Sequence, residues 1–139
     1  ITPAAGFVDV IGASVIGGVA AALGFGAVLL RPRTGLDDSL DVFGIHGIGG
    51  IWGTIATGIF AVKAIGGTAG ALEGNWAQLG VQLTGVLATA AYCGLATFVL
   101  LRLLDVLPGL GVRVPDHEEA LGLDITAHGE RAYMQDGAD

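Results

Sequence analysis

Charged residues are missing from three long stretches of the chain, residues 10–30, 42–62 and 74–101, and are gathered into the segments between and after them. At 1.5 Å of rise per residue, each of the first two stretches gives about 30 Å of helix, the thickness of a bilayer's hydrocarbon core. The third gives about 42 Å, which predicts a helix that tilts or runs past the bilayer. The pattern therefore predicts an all-α membrane protein with three transmembrane helices, over residues 10–30, 42–62 and 77–105. Residues 1–9 read as the end of a preceding span and an outer link, because Thr2-Pro3-Ala4-Ala5-Gly6 breaks any helix that arrives there. In the connection at 31–41, Pro32 and Gly35 are stop signals and Asp38 is a candidate cap for the next helix. Residues 63–76, with Gly66, Gly67, Gly70 and Gly74, read as a flexible loop without a helical pattern, and Trp76 marks a membrane interface. Pro108-Gly109 ends the third span and leaves residues 106–139 as a polar tail.

Composition supports the same class. The chain is 53% hydrophobic and only 14% charged, where soluble domains carry nearer a quarter charged residues. Its 25 glycines fit transmembrane helices better than soluble ones. The net charge of −7 is concentrated at the end, in Asp116, Glu118, Glu119, Asp124, Glu130, Asp136 and Asp139, and nothing resembles a basic nucleic-acid surface. Cys93, the single cysteine, sits in an apolar run as a packing residue. No signal peptide is visible at Ile1-Thr2-Pro3, and the expectation is a piece of a longer polypeptide. Arg31 and Arg33 share a side with Arg102 and Arg113, against Lys63 on the other, so the positive-inside bias makes the 31–41 loop and the tail cytoplasmic. The expected location is the cell membrane, multi-pass, with a cytoplasmic C-terminus.

The second span holds the chemistry. At a 3.6-residue period, His46, Gly49, Gly50, Gly53, Thr54, Thr57 and Gly58 form one stripe, and Ile45, Ile48, Trp52, Ile55, Ile59 and Val62 the other. Small residues at i, i+4 spacing let another helix approach closely, which makes the first stripe a packing face on which His46 bonds a neighbour. The same residues also leave room for a narrow conduit lined by His46, since an ionisable group inside a span is a functional hypothesis by default. His46 lies about 7 Å along the helix from Asp41, which places Asp41 in a cytoplasmic vestibule or makes it a first-turn carboxylate favourable to the helix dipole. The run Gly47-Ile48-Gly49-Gly50-Ile51-Trp52-Gly53 is not a dinucleotide loop, because no strand precedes it. His117 and His128 lack the Cys/His spacing of a metal site, and no cofactor or metal is expected.

Asp37-Asp38-x-x-Asp41-Val42-Phe43-x-x-His46-Gly47, followed by Gly50-Ile51-x-Gly53-x-x-x-Thr57-Gly58-x-Phe60-Ala61, resembles the tenth transmembrane segment of the ammonium transporter family (Amt/Mep/Rh). Thr2-Pro3-Ala4 resembles the end of that family's eighth segment. Gly111-x-Arg113-Val114 and Gly122-Leu123-Asp124-x-x-x-His128-Gly129-Glu130-x-Ala132-Tyr133 resemble its cytoplasmic tail. The resemblance implies the C-terminal third of an eleven-helix protomer, in a homotrimer whose protomers each have their own hydrophobic pore. It implies that His46 is one member of a pore histidine pair, that Val42 lies beside the cytoplasmic part of the conduit, and that Asp41 and Gly50 have structural or helix-capping roles near it. The other histidine belongs to segments outside this chain. Trp52 is bulkier than many relatives carry there, and its place opposite His46 predicts an altered helix contact.

Ammonium cannot enter hydrocarbon with its charge at acceptable cost. A neutral imidazole offers one donor and one acceptor. Two linked rings can accept a proton and hold neutral ammonia beside it, whereas potassium has no proton to surrender. The tail is expected to regulate, with Thr126 where some relatives are phosphorylated and a PII-type signalling protein as the cytoplasmic partner the resemblance implies. The expected function is thus ammonium transport rather than enzymatic catalysis. The alternative is a membrane-anchored sensor or interaction module presenting its acidic tail, which deleting residues 114–139 separates from a transporter. A haem-binding subunit would need a second axial ligand, and the spans offer only His46.

Overall fold

A computed structural model of the chain describes residues 2–130. It divides into two compact units, the first extending to Tyr92 and the second starting at Cys93.

In the first unit a 3-10 turn, Thr2–Ala4, leads to helix α1, Val10–Thr34. The helix starts because Asp9, in an extended conformation, accepts a hydrogen bond from the backbone N–H of Gly12, one of the donors a helix start leaves orphaned. It ends at Gly35, which is left-handed at φ 67°. Pro32 does not stop the helix. Its ring sits in the last turn, where it forfeits a single backbone bond, so α1 continues past Leu30 to Thr34.

The second apolar stretch opens as a π-helical turn, Phe43–Gly47, and continues as α2, Ile48–Phe60. Beyond it lie a four-residue helix α3, Lys63–Gly66, and a second 3-10 turn, Ala71–Glu73. The 63–76 connection therefore holds two helical turns where its glycines suggested none. Gly67 and Gly74 use their positive φ to end those turns, and the Lys63 backbone N–H donates to the Glu73 carboxylate at 2.8 Å. Gly70 fits tightly: a Cβ there would stand 2.7 Å from both Ala61 N and Ile59 O.

The long helix α4, Ala77–Val106, passes through the division between the units. In the second unit, α5, Asp116–Leu121, and α6, Leu123–Thr126, are joined at Gly122 (φ 96°). The part of the expected tail beyond residue 130, with Ala132-Tyr133, Asp136 and Asp139, lies outside the described residues.

The core of the first unit is small. Ala4, Ile16 and Ala56 are fully buried, with Val8, Trp52 and Phe60 packed on them, so α1, α2 and the first 3-10 turn meet there. Trp52, expected to change a helix contact, donates its indole Nε1–H to the Ile16 carbonyl at 3.0 Å and ties α2 to α1. α4 buries none of its residues against the described chain. Three helical stretches, Val10–Thr34, Phe43–Phe60 and Ala77–Val106, are long and apolar enough to cross a membrane. Hydroxyls inside them bond their own helix: Ser14 to the Val10 carbonyl, Thr54 to Gly50, Thr57 to Gly53 and Thr84 to Gly80. Such back-bonding satisfies groups that hydrocarbon would leave without a partner.

Candidate functional site

His46 stands on the π turn, and the local sequence accounts for its direction. Asp38 starts the turn by accepting the backbone N–H groups of Val42 at 2.8 Å and Phe43 at 2.9 Å. The cap is thus Asp38, as its position suggested, and not Asp41. Asp41 is the one non-glycine residue with positive φ (55°) among the described residues, and its carboxylate turns toward Arg31. Within the turn, the Ile48 N–H is shared between the carbonyls of Ile45 and Phe43, the latter five residues back. Gly44 is buried against α1, where an added Cβ would lie 3.4 Å from Ala27 Cβ. Gly47 is covered by the Phe43 ring, which an added Cβ would meet at 2.9 Å. Phe43 folds back over Gly47, and Ile45 and His46 project on the side of the turn that faces α1 and the first 3-10 turn.

They face a cavity of about 760 Å³ between the first 3-10 turn, α1 and the start of the second span. Thr2 and Pro3 border one edge, Ala20, Ala21, Gly24, Phe25 and Val28 of α1 form one wall, and Ile45, His46, Gly49 and Gly50 form the other. A Cβ on Gly49 or Gly50 would meet no described atom within 4 Å beyond its own stretch of helix.

Of the residues singled out from sequence, His46 and Gly50 line this cavity together. Gly50 is half-buried on this wall, and its carbonyl accepts the Thr54 hydroxyl at 2.9 Å. Val42 is 50% exposed and lies outside the residues lining it. Asp41 lines a second, smaller cavity of about 200 Å³, with Arg31, Asp38, Phe43, Gly44 and Ile48. Thr126 is in the other unit, where its hydroxyl donates to the Gly122 carbonyl at 3.1 Å. His117 Nε2 is 4.0 Å from Glu118 Oε1, and no metal-holding group of three His, Cys, Asp or Glu occurs among the described residues.

Sequence reasoning missed the α1 wall. Its signal was present, since Ala20, Gly24 and Val28 recur at helical i, i+4 spacing and the first two are small. Ile45, on the bulky face of the sequence pattern, instead shares the cavity wall with His46, because positions 45, 46, 49 and 50 together cover about 140° of a helix and a wall that wide takes in residues from both faces.

The stripe that begins at His46 changes character along α2. At its far end Gly53, Thr57 and Gly58 are buried. A Cβ on Gly58 would stand 3.0 Å from Gln82 Cγ and 3.2 Å from Leu79 Cα, so α4 approaches α2 there as closely as a glycine allows. One stripe therefore serves as a packing face at one end and as an open wall at the other.

Three apolar helical stretches of spanning length, with a histidine on a cavity between two of them, define a helical membrane protein. The chain belongs to the Ammonium Transporter Family, whose family model matches residues 1–133. It is 48% identical over 134 residues to an ammonium transporter of Aquifex aeolicus, covering 96% of this chain and 31% of that protein. Identity to the ammonium transporter Amt1 of Archaeoglobus fulgidus is also 48%, over 133 residues, covering 96% of this chain and 34% of the relative. The fold is similar to the crystal structure of Saccharomyces cerevisiae Mep2, with a TM-score of 0.81 and 38% identity over 100% of this chain and 32% of the other. The chain spans about a third of the length of the relatives it matches.

Proposed function

We propose that this chain is the C-terminal third of an eleven-helix ammonium transporter protomer, and that it contributes one wall of the protomer's conducting path. The observation that carries the reading is the placement of His46: an imidazole on the wall of a cavity whose neighbouring positions, Gly49 and Gly50, are open space. Membership of a family whose relatives are named ammonium transporters supplies the substrate.

In this reading His46 is half of a histidine pair, completed by a ring from another part of the protomer. Ammonium reaching the pair leaves its proton on the linked imidazoles and continues as ammonia, which apolar walls accept. A potassium ion keeps its charge and is refused, so selectivity comes from acid–base chemistry as well as width. Val42 borders the cytoplasmic continuation of the path. The Arg31/Arg33 loop and the tail face the cytoplasm of a multi-pass protein of the cell membrane, assembled as a homotrimer. The tail carries Thr126 as a regulatory position and meets a PII-type signalling protein.

The test is methylammonium uptake and its discrimination against potassium by the full-length transporter carrying His46→Ala or His46→Glu. Altered uptake or altered discrimination is the expected result. Unchanged values for both would remove His46 from the path.

A further inference from the structure

The conventional part of the site is His46 and the cavity it faces; what holds His46 there is a separate set of contacts. A π turn is rare and poorly self-supporting, and it persists where its surroundings hold it. The turn at Phe43–Gly47 is held at its start by three side chains from two elements. The Asp38 carboxylate takes both of the first backbone donors, Val42 N and Phe43 N. Arg31, in the last turn of α1, donates from Nη1 to the Asp38 backbone carbonyl. The same guanidinium places Nε 3.2 Å from Asp41 Oδ1. That second contact is a charge contact without hydrogen-bond alignment, and Oδ1 has no hydrogen-bond partner among the described residues. Arg31 therefore grips the connection at two points three residues apart, Asp38 and the left-handed residue Asp41 itself.

The geometry of the turn passes this grip on to the histidine. Asp41 is the last residue before the second span, and its carbonyl accepts the Ile45 N–H at 2.9 Å. Gly44 is pressed on Ala27 of α1, one helical turn before Arg31. The turn is thus fixed to α1 at Gly44 and at Asp38/Asp41, and the direction of His46 follows from both attachments.

We propose that Arg31, Asp38 and Asp41 form a clamp that holds the π turn against α1 and so sets where the His46 imidazole stands in the cavity, with Arg31 and Asp41 acting as positioning residues for the transport step. The inference rests on the reading that His46 lines the path. Arg31 is suited to the task because a planar guanidinium presents donors in two directions at once, which a lysine ammonium on a flexible stem does not reproduce. Asp41 is suited because Asp tolerates the left-handed backbone better than most residues while carrying a charge.

The experiment uses the full-length transporter reconstituted in vesicles, with methylammonium flux and exclusion of potassium measured alongside the amount of assembled protein. Arg31→Lys keeps the charge and loses the two-point grip. Asp41→Gly keeps the left-handed backbone and loses the carboxylate. Both are expected to assemble and to lose up to about a hundredfold in discrimination against potassium, the scale on which a misplacement of a reacting group by about 1 Å is felt. Asp41→Asn, isosteric and at ease in the same backbone, is expected to fall between Asp41→Gly and the parent, and keeps the test open if Arg31→Lys does not assemble. Nitrogen chemical shifts of the labelled His46 ring should move in Asp41→Asn, which a purely structural role in folding would not require. Parent-like discrimination and ring shifts in Asp41→Asn and Asp41→Gly would overturn the clamp. If His46→Ala is itself parent-like, the underlying reading of the path fails instead, so the two failures are distinguishable.

Discussion

The two ends of one helical stripe on α2 have the same composition and opposite surroundings. Gly49 and Gly50 lie near His46 with no described atom beyond their own stretch of helix within 4 Å of where a Cβ would stand, whereas Gly58, about two turns further along, lies against Gln82 and Leu79 at van der Waals limit. Glycine at the packed end allows a helix to come close; glycine at the open end keeps a wall recessed. A small-residue stripe in a membrane helix therefore does not by itself distinguish packing from conduction, and the neighbours decide it residue by residue.

The comparison can be broken most forcefully at the packed end. Gly70 closes the connection over the end of α2, and an added methyl would strike backbone on two sides at 2.7 Å. Gly70→Ala should lower the unfolding free energy of the full-length protein by about 3 kcal/mol, near the upper range for overpacking. A smaller loss, about 1–2 kcal/mol, is expected for Gly58→Ala, because the Gln82 side chain can shift while the Leu79 backbone cannot. Denaturant titration in detergent reads both. Trp52→Phe removes both the indole donor to the Ile16 carbonyl and part of the packed bicycle, which should cost about 1–3 kcal/mol. At the open end the sign reverses: Gly49→Ala should be neutral or stabilise by up to about 1 kcal/mol, since alanine is the better helix former and no described residue beyond its own stretch of helix stands within 4 Å of the added carbon. A loss at Gly49 equal to that at Gly58 would erase the distinction.

Much of this architecture was legible in the amino-acid sequence, for physical reasons. Spans must exclude charge over the thickness of hydrocarbon, so Asp9, Arg31, Asp41, Lys63 and Arg102 bracket them openly. Capping also has a sequence signature, and Asp38 reads as a helix start that the structure gives it. The π turn left no such trace. Its five residues have the composition of ordinary helix, so Phe43-Gly44-Ile45-His46-Gly47 reads as one. Glycine density hid the short turns at Lys63–Gly66 and Ala71–Glu73, because residues that end helices also resemble loop. The division of the stripe was likewise hidden, since it depends on which segment lies opposite Gly50 and which opposite Gly58.

The central claim is that the His46 end of the stripe bounds a conducting space. The most direct measurement is methylammonium flux through assembled full-length protein carrying Gly50→Leu, together with its unfolding temperature. Flux falling to background with an unfolding temperature no lower than the parent's is the predicted result. Parent-level flux, or a lost flux accompanied by a drop in unfolding temperature like that of Gly58→Ala, would contradict it.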